Sequence, residues 1–176
     1  MGNQSCCGHN NEEKELRGFK AMGRLNEYGE AKIVIIGLDN SGKTAIFDKL
    51  TGKERELNPT KGFNTEKIEY ENGFKIDLWE IGGAREVRPY WKNYFKNIDG
   101  IIFVVDSTDS KRFDEAASAF KKVLEDKRLI AVPIQILANK QDHERACNPI
   151  DLEGIFNLHE INDRIWMVDG CSVYSG

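Results

Sequence analysis

Gly37-Leu38-Asp39-Asn40-Ser41-Gly42-Lys43-Thr44 sets two glycines, a lysine and a hydroxyl at the spacing of a phosphate-binding loop. In such a loop backbone N–H groups wrap the phosphates, so Gly37, Asp39, Asn40, Ser41, Gly42 and the following Ala45 are expected at the nucleotide. Gly42 lets the backbone approach closely. Lys43 is expected to reach the β and γ phosphates, and Thr44 to ligate Mg²⁺. A second stretch, Asn139-Lys140-Gln141-Asp142, speaks to the base. The Asp142 carboxylate can accept from N1–H and the 2-amino group of guanine, and adenine offers no such pair. A site that leaves buried polar groups unpaired discriminates strongly against the wrong base. Asn139 is expected to tie the loops together, and the Lys140 stem to cover the base face. Cys171-Ser172-Val173 is expected to bring a backbone N–H to the guanine oxygen.

The surrounding elements must hold these stretches at one edge. Lys32-Ile33-Val34-Ile35-Ile36 is a short β-branched run expected as a buried strand, and Ile46, Phe47 and Leu50 follow the loop at helical spacing. Strands are also expected at 65–70 and 75–79, joined by Glu71-Asn72-Gly73, where Asn-Gly signals a hairpin. The apolar run Gly100-Ile101-Ile102-Phe103-Val104-Val105-Asp106, then 133–138 and 164–168, complete six strands. Helices are expected at 85–97, at 110–126 with Phe113, Ala117, Phe120 and Leu124 inward, and at 150–158. Alternating strands and helices imply an α/β fold. Its sheet is mostly parallel, with one antiparallel edge strand and helices on both faces. Ligands on such sheets sit beyond the carboxyl ends of the strands, where all of these motifs fall.

The chain of 176 residues is long enough for one domain, with the expected division 1–30 tether and 31–176 nucleotide-binding domain. A net charge of −4 argues against a nucleic-acid partner. Four cysteines, two of them adjacent, do not make a disulfide framework. The start, Met1-Gly2-Asn3-Gln4-Ser5-Cys6-Cys7, offers Gly2 for myristate and Cys6 or Cys7 for palmitate. Cys6 stands where the myristoylation pattern has Ser or Thr, but one acyl chain anchors only marginally and a thioester supplies the second signal. Leu16, Phe19, Met22 and Leu25 form a thin apolar stripe broken by Gly18 and Gly23. It is expected as a marginal amphipathic helix that needs a partner surface, or as a flexible tether.

These motifs, with Pro59-Thr60-Lys61-Gly62-Phe63-Asn64, Trp79-Glu80-Ile81-Gly82-Gly83 and Arg88-Pro89-Tyr90-Trp91-Lys92-Asn93-Tyr94-Phe95, resemble the Arf and Arf-like family of small GTPases. The last of them, with Asn157-Leu158-His159 and Cys171-Ser172, looks closest to the cilium-associated Arf-like subgroup. The resemblance runs from about residue 31 onward. It implies a switch that binds GTP or GDP with Mg²⁺. Thr60 would ligate Mg²⁺ only with GTP bound, and Gly83 would give its N–H to the γ-phosphate. Lys43, Thr60 and Gly83 would be the groups at the reacting phosphate. Phe63, Trp79 and Tyr94 would form an aromatic effector patch. The resemblance further implies effectors at the switch regions, an exchange factor and an activating protein. It implies a place in vesicle transport on the cytoplasmic face of a membrane, Golgi or cilium among them, with a cytosolic pool. In the family, the hairpin between the switches slides on GTP binding and expels the N-terminal segment onto a membrane.

Three positions depart from that pattern. Ala84 stands where the family has the glutamine that orients the attacking water, and a methyl group cannot do so. Glu80 replaces an aspartate near Mg²⁺, which pushes the carboxylate out by about 1.5 Å and alters a contact expected to be indirect. The sequence ends at Gly176, where the family continues into a final helix. Either the chain is incomplete, or a partner or the N-terminal segment covers that sheet face. Slow intrinsic hydrolysis follows. A scaffold that recruits effectors without cycling is the alternative, and Asn139 with Asp142 counts against an ATP-using phosphotransferase.

Overall fold

The computed structural model describes residues 29–53, 60, 62–70 and 73–175. Gly2, Cys6 and Cys7, the stripe from Leu16 to Leu25, and the loop and turn residues Asn58, Pro59, Lys61, Glu71 and Asn72 lie outside the described residues. Six strands form one sheet: β1 (Glu30–Gly37), β2 (Phe63–Tyr70), β3 (Phe74–Ile81), β4 (Gly100–Asp106), β5 (Ile134–Asn139) and β6 (Trp166–Gly170). Their order is β2-β3-β1-β4-β5-β6. Only the β2–β3 pairing is antiparallel, with Phe63 opposite Ile81; β1 lies parallel between β3 and β4.

The central strands β1, β4 and β5 are buried on both faces of the sheet, and the period-two alternation of a strand assigns its side chains to them. Along β4, Ile101, Phe103 and Val105 join one core, with Trp91, Phe95, Phe120, Leu152 and Phe156. Ile102 and Val104 join the other, with Ile33, Ile35, Phe47, Ile76, Leu78 and Leu137. Helix α1 (Lys43–Thr51) covers this second face with Ile46 and Phe47. Helices α2 (Phe113–Leu124) and α3 (Asp151–Ile155) cover the first.

The strands lie where the apolar runs place them: β1 to β3 are extended by one or two residues at all but one end, β4 has the expected bounds, and β5 and β6 begin and end one and two residues later than expected. The helices differ more. Residues 85–97 do not form an α-helix: a turn leads into a 3₁₀-helix, Arg88–Tyr94. Pro89 lacks an N–H there. Two side chains fasten the segment back onto the glycine bend, Trp91 Nε1 donating to the Gly82 carbonyl at 2.8 Å and Arg88 Nε to the Gly83 carbonyl at 2.8 Å. The helix expected at 110–126 splits into a 3₁₀ turn, Ser110–Arg112, and α2. Its buried stripe is Phe113, Ala116, Ala119, Phe120 and Val123, so Ala117 and Leu124 sit at the margin rather than inward. Small alanines let α2 lie close to the sheet, and that fixes the rotation. The helix expected at 150–158 stops at Ile155, because Asn157 adopts a left-handed φ of 51° before a short 3₁₀ turn.

Candidate nucleotide site

A cavity of about 910 Å³ opens beyond the carboxyl ends of β1, β3, β4 and β5. Its wall brings together Asp39, Asn40, Gly42, Lys43, Thr44, Ala45, Thr60, Gly83, Asn139, Lys140, Asp142 and Val173. These residues come from five separate stretches of chain. Gly37, Ser41, Cys171 and Ser172 stand behind that wall and support it.

The phosphate loop is built by close contacts. Gly42 has φ 92°, and a Cβ on it would meet Asn139 Nδ2 at 2.1 Å. A Cβ on Gly83 would meet the Gly37 carbonyl oxygen at 2.3 Å, so the glycine bend after β3 lies directly on the loop. Asn139 Nδ2 donates to the Ser41 carbonyl at 2.8 Å, which ties the β5 loop to the phosphate loop. Lys43 starts α1 and is 5% exposed; its Nζ donates to the Leu38 carbonyl at 2.7 Å. Burial lowers its pKa from 10.5 to about 8, against the raising effect of Glu80 and Asp39. Ser41 Oγ is buried and has no hydrogen-bond partner among the described residues. The buried ammonium and the N-terminus of α1 thus meet at one polar concavity. A phosphate group fits that donor set.

Beside Lys43, Thr44 Oγ1 donates to Glu80 Oε1 at 2.6 Å and lies 3.3 Å from Thr60 Oγ1. Asn64 Nδ2 donates to Glu80 Oε2 at 2.6 Å. Among the described residues no cluster of three His, Cys, Asp or Glu side chains is placed to hold a metal ion. Any cation here would depend on these hydroxyls, one carboxylate and the phosphates. Mg²⁺, which takes one or two carboxylates plus substrate phosphates, fits such a set. Ala84 lines the same end with a methyl group.

At the base end, Ser172 Oγ donates to Asp142 Oδ1 at 2.6 Å, fixing the carboxylate while leaving Oδ2 for a ligand. Cys171 Sγ lies 3.6 Å from Asn139 Oδ1, and the Cys171 N–H donates to the Ala138 carbonyl at 3.0 Å. Lys140 takes a left-handed φ of 68°, and its Nζ pairs with Asp106 Oδ2 at 2.5 Å, which pins the stem across the opening. Burial raises the Asp106 pKa, but hydrogen bonds from Lys140 and Thr108 outweigh it and hold the carboxyl low.

The structure also assembles a charge cluster that sequence reasoning missed. Asp39 accepts from Arg88 at 3.0 Å and from Arg112 at 2.8 Å, and Glu115 accepts from the same two arginines at 2.7 and 2.8 Å. The hydrogen bond from Arg112 holds the Asp39 carboxyl below its usual range. Arg112 and Glu115 stand three residues apart at a helix start, a signal for a pair but not for what the pair faces. Phe63, Trp79 and Tyr94 meet outside the cavity with centroids 5.3 to 6.1 Å apart. Phe63 is 49% exposed, while Trp79 and Tyr94 are half-buried and pack against the core, so the cluster spans core and surface. Lys32 Nζ sits 4.2 Å from the Trp79 ring centroid.

Known proteins share this arrangement. The chain is 42% identical over 159 residues to ADP-ribosylation factor-like protein 3 of Caenorhabditis elegans, covering 89% of this chain and 84% of the relative. It is 38% identical over 162 residues to the protein of the same name from Chlamydomonas reinhardtii, covering 92% and 88%. The structure of the Arl6 BBS3 small GTPase from Trypanosoma brucei with bound nucleotide analogue GppNp is similar to it at a TM-score of 0.76. Identity there is 30%, over 82% of this chain and 87% of that one. Residues 19–176 match the ADP-ribosylation factor family. A six-stranded sheet with one antiparallel strand, a phosphate loop and an Asn-Lys-x-Asp loop facing one cavity agree with that match, and the chain belongs to the ADP-ribosylation factor family of small GTPases.

Proposed function

We propose that the protein is a guanine-nucleotide-dependent switch of the Arf-like type that binds GTP and GDP with Mg²⁺ and hydrolyses GTP slowly. One observation carries this reading: the base-recognising loop and the phosphate loop are locked to each other by the Asn139–Ser41 hydrogen bond, so guanine and phosphate recognition share one cavity. Asp142 Oδ2 accepts from the guanine edge, the Val173 backbone approaches the guanine oxygen, and the Lys140 stem covers the base. Lys43 and the loop N–H groups hold the phosphates. Thr44 and Thr60 would hold Mg²⁺, with Glu80 beside them, and the ion supplies charge neutralisation at the β and γ phosphates. The Gly83 N–H would face the γ-phosphate. No side chain at position 84 can orient the attacking water, so turnover waits on an activating protein that supplies both a positioner and a charge.

Effector proteins dock on Phe63, Trp79 and Tyr94, beside the switch residue Thr60, and an exchange factor resets the site. The N-terminal segment 1–30 acts as a tether, acylated on Gly2 and on Cys6 or Cys7, which places the protein on the cytoplasmic face of a membrane in intracellular or ciliary trafficking. No helix among the described residues is long and apolar enough to cross a membrane. Gly2→Ala should move the protein from the membrane pellet to the supernatant; an unchanged distribution would sink the acylation reading.

A second reading has its own support. Glu80 bonds Thr44, Thr60 and Asn64 at once, so one protein carboxylate holds these residues together. With Ala84 in the place of the water positioner, a scaffold that presents the aromatic cluster irrespective of nucleotide is the alternative. Titration with fluorescent GTP, GDP and ATP, followed by single-turnover hydrolysis, separates the two. A switch binds GTP and GDP and ignores ATP, and its effector affinity depends on which nucleotide is loaded. Equal competition by ATP and GTP would overturn the guanine assignment.

A further inference from the structure

Glu80 is 0% exposed, and its carboxylate is reached by hydroxyl and amide groups. Its Oε1 lies 2.6 Å from Thr44 Oγ1 and 3.4 Å from Thr60 Oγ1, while the two hydroxyls are 3.3 Å apart. Adjacent ligands around an octahedral ion with bonds of about 2.1 Å stand about 2.9 Å apart. The three edges of this oxygen triangle bracket that spacing. The triangle has the dimensions of one face of a coordination shell and is held together here by the Thr44 hydroxyl proton. Glu80 Oε2 is committed to the Asn64 amide at 2.6 Å, which orients the carboxylate and leaves Oε1 alone to face the two hydroxyls. A fully buried carboxylate calls for positive partners; the Lys43 ammonium supplies one nearby, and this triangle is where a cation can add a second.

We propose that Glu80 is a direct, one-oxygen ligand of the divalent cation at the phosphate loop, beside Thr44 and Thr60, and that it takes the place of one water in the ion's shell. The inference rests on the nucleotide site proposed above and deepens it. An aspartate on the same backbone would end about 1.5 Å short, one carbon–carbon bond. A water would then stand between carboxylate and ion. The glutamate removes that water and adds a negative charge to the inner shell, so cation and nucleotide leave together more slowly.

The test loads the full chain with Mn²⁺ and a non-hydrolysable GTP analogue. Waters on Mn²⁺ are counted from the broadening of its EPR signal in ¹⁷O-enriched water, and fluorescence of a labelled analogue reports nucleotide retention separately. Wild type should carry one water fewer than Glu80→Asp, and chelator-triggered loss of the analogue should be slower by on the order of tenfold. Equal water counts with nucleotide held in both proteins overturn the inference and leave the GTP-binding reading standing. Nucleotide held with no Mn²⁺ at all overturns it too, because the carboxylate then excludes the ion. Failure of wild type to hold any guanine nucleotide removes both readings together. If Glu80→Asp does not fold, Glu80→Gln keeps the length and loses the charge. Its Mn²⁺ affinity should fall on the order of tenfold, and an unchanged affinity counts against direct ligation.

Discussion

At one end of the cavity Asn139, Asp142 and Ser172 hold base-recognising groups in place through bonds to neighbouring loops; at the other, Glu80 draws Thr44, Thr60 and Asn64 around a single carboxylate. The base end has every group that the family resemblance requires. The reacting end keeps its phosphate ligands and lacks a water positioner at Ala84. Under the proposed function, binding and hydrolysis would be separable in this chain. Affinity would rest on loops packed against the sheet and hydrolysis on the placement of one water, which a single side chain can forfeit.

The comparison breaks most severely at Lys43, whose ammonium sits at the phosphate loop that either nucleotide needs. Lys43→Ala should weaken GTP and GDP alike, by on the order of 10³-fold or more, since charge-assisted bonds to phosphate contribute about 1.5–3 kcal/mol each. Equilibrium titration with labelled nucleotide checks it, and retained affinity would mean that the phosphates lie elsewhere. Asp142→Asn touches only the base end. The amide keeps one acceptor but turns a donor toward guanine, so the preference for GTP over ATP should fall by on the order of 10²-fold. Competition binding reads that ratio, and hydrolysis per bound GTP should not change.

Ala84→Gln touches only the reacting end. Single-turnover hydrolysis should rise by on the order of 10- to 10²-fold with GTP affinity within a factor of two or so of wild type. If the variant stays slow, Glu80→Asp with Ala84→Gln should rise instead, since the cation shell is then the remaining fault. A wild type that already turns over as fast as the double variant would refute the role given to Ala84.

The smallest effect is on pH. Lys43 has a folded-state pKa of about 8, below its ordinary 10.5, because burial disfavours the charged form. Between those values the unfolded chain holds more protons than the folded one, so the nucleotide-free protein should gain stability as pH rises through that window. Nucleotide binding needs the ammonium and should show the opposite sign. Affinity should be flat below about pH 8 and fall by at most about tenfold per pH unit above it. Parallel melting and binding curves from pH 7 to 10 check both signs. A binding curve without a break would mean that Lys43 does not carry the phosphate interaction.

The strands were legible because β-branched apolar runs such as Ile33 to Ile36 and Ile101 to Val105 have few alternatives to a buried strand. The phosphate loop was legible because its glycines are forced: backbone or side-chain atoms already occupy the space a Cβ on Gly37 or Gly42 would need. The segment after the glycine bend was not legible as a 3₁₀-helix. Its apolar spacing at Val87, Trp91, Tyr94 and Phe95 suits an α-helix. Bonds from Trp91 and Arg88 to carbonyls of the bend decide otherwise, and those partners are set by how the segment docks.

Sequence alone determined which chemistry this chain can offer: a phosphate loop, a guanine-type acceptor at Asp142, a methyl where a water positioner is expected, and a longer carboxylate at Glu80. Residue type fixes donor, acceptor and reach, and these need no fold to be read. Tertiary structure decided which of those groups meet. Asp39, Arg88, Arg112 and Glu115 come from three stretches of chain that only the sheet brings to one corner. Glu80 reaches Thr44 and Thr60 because β1 and β3 lie side by side in parallel, with Ile35 opposite Glu80. Distance between side chains far apart in sequence follows from strand register and packing, and neither is written in local residue order.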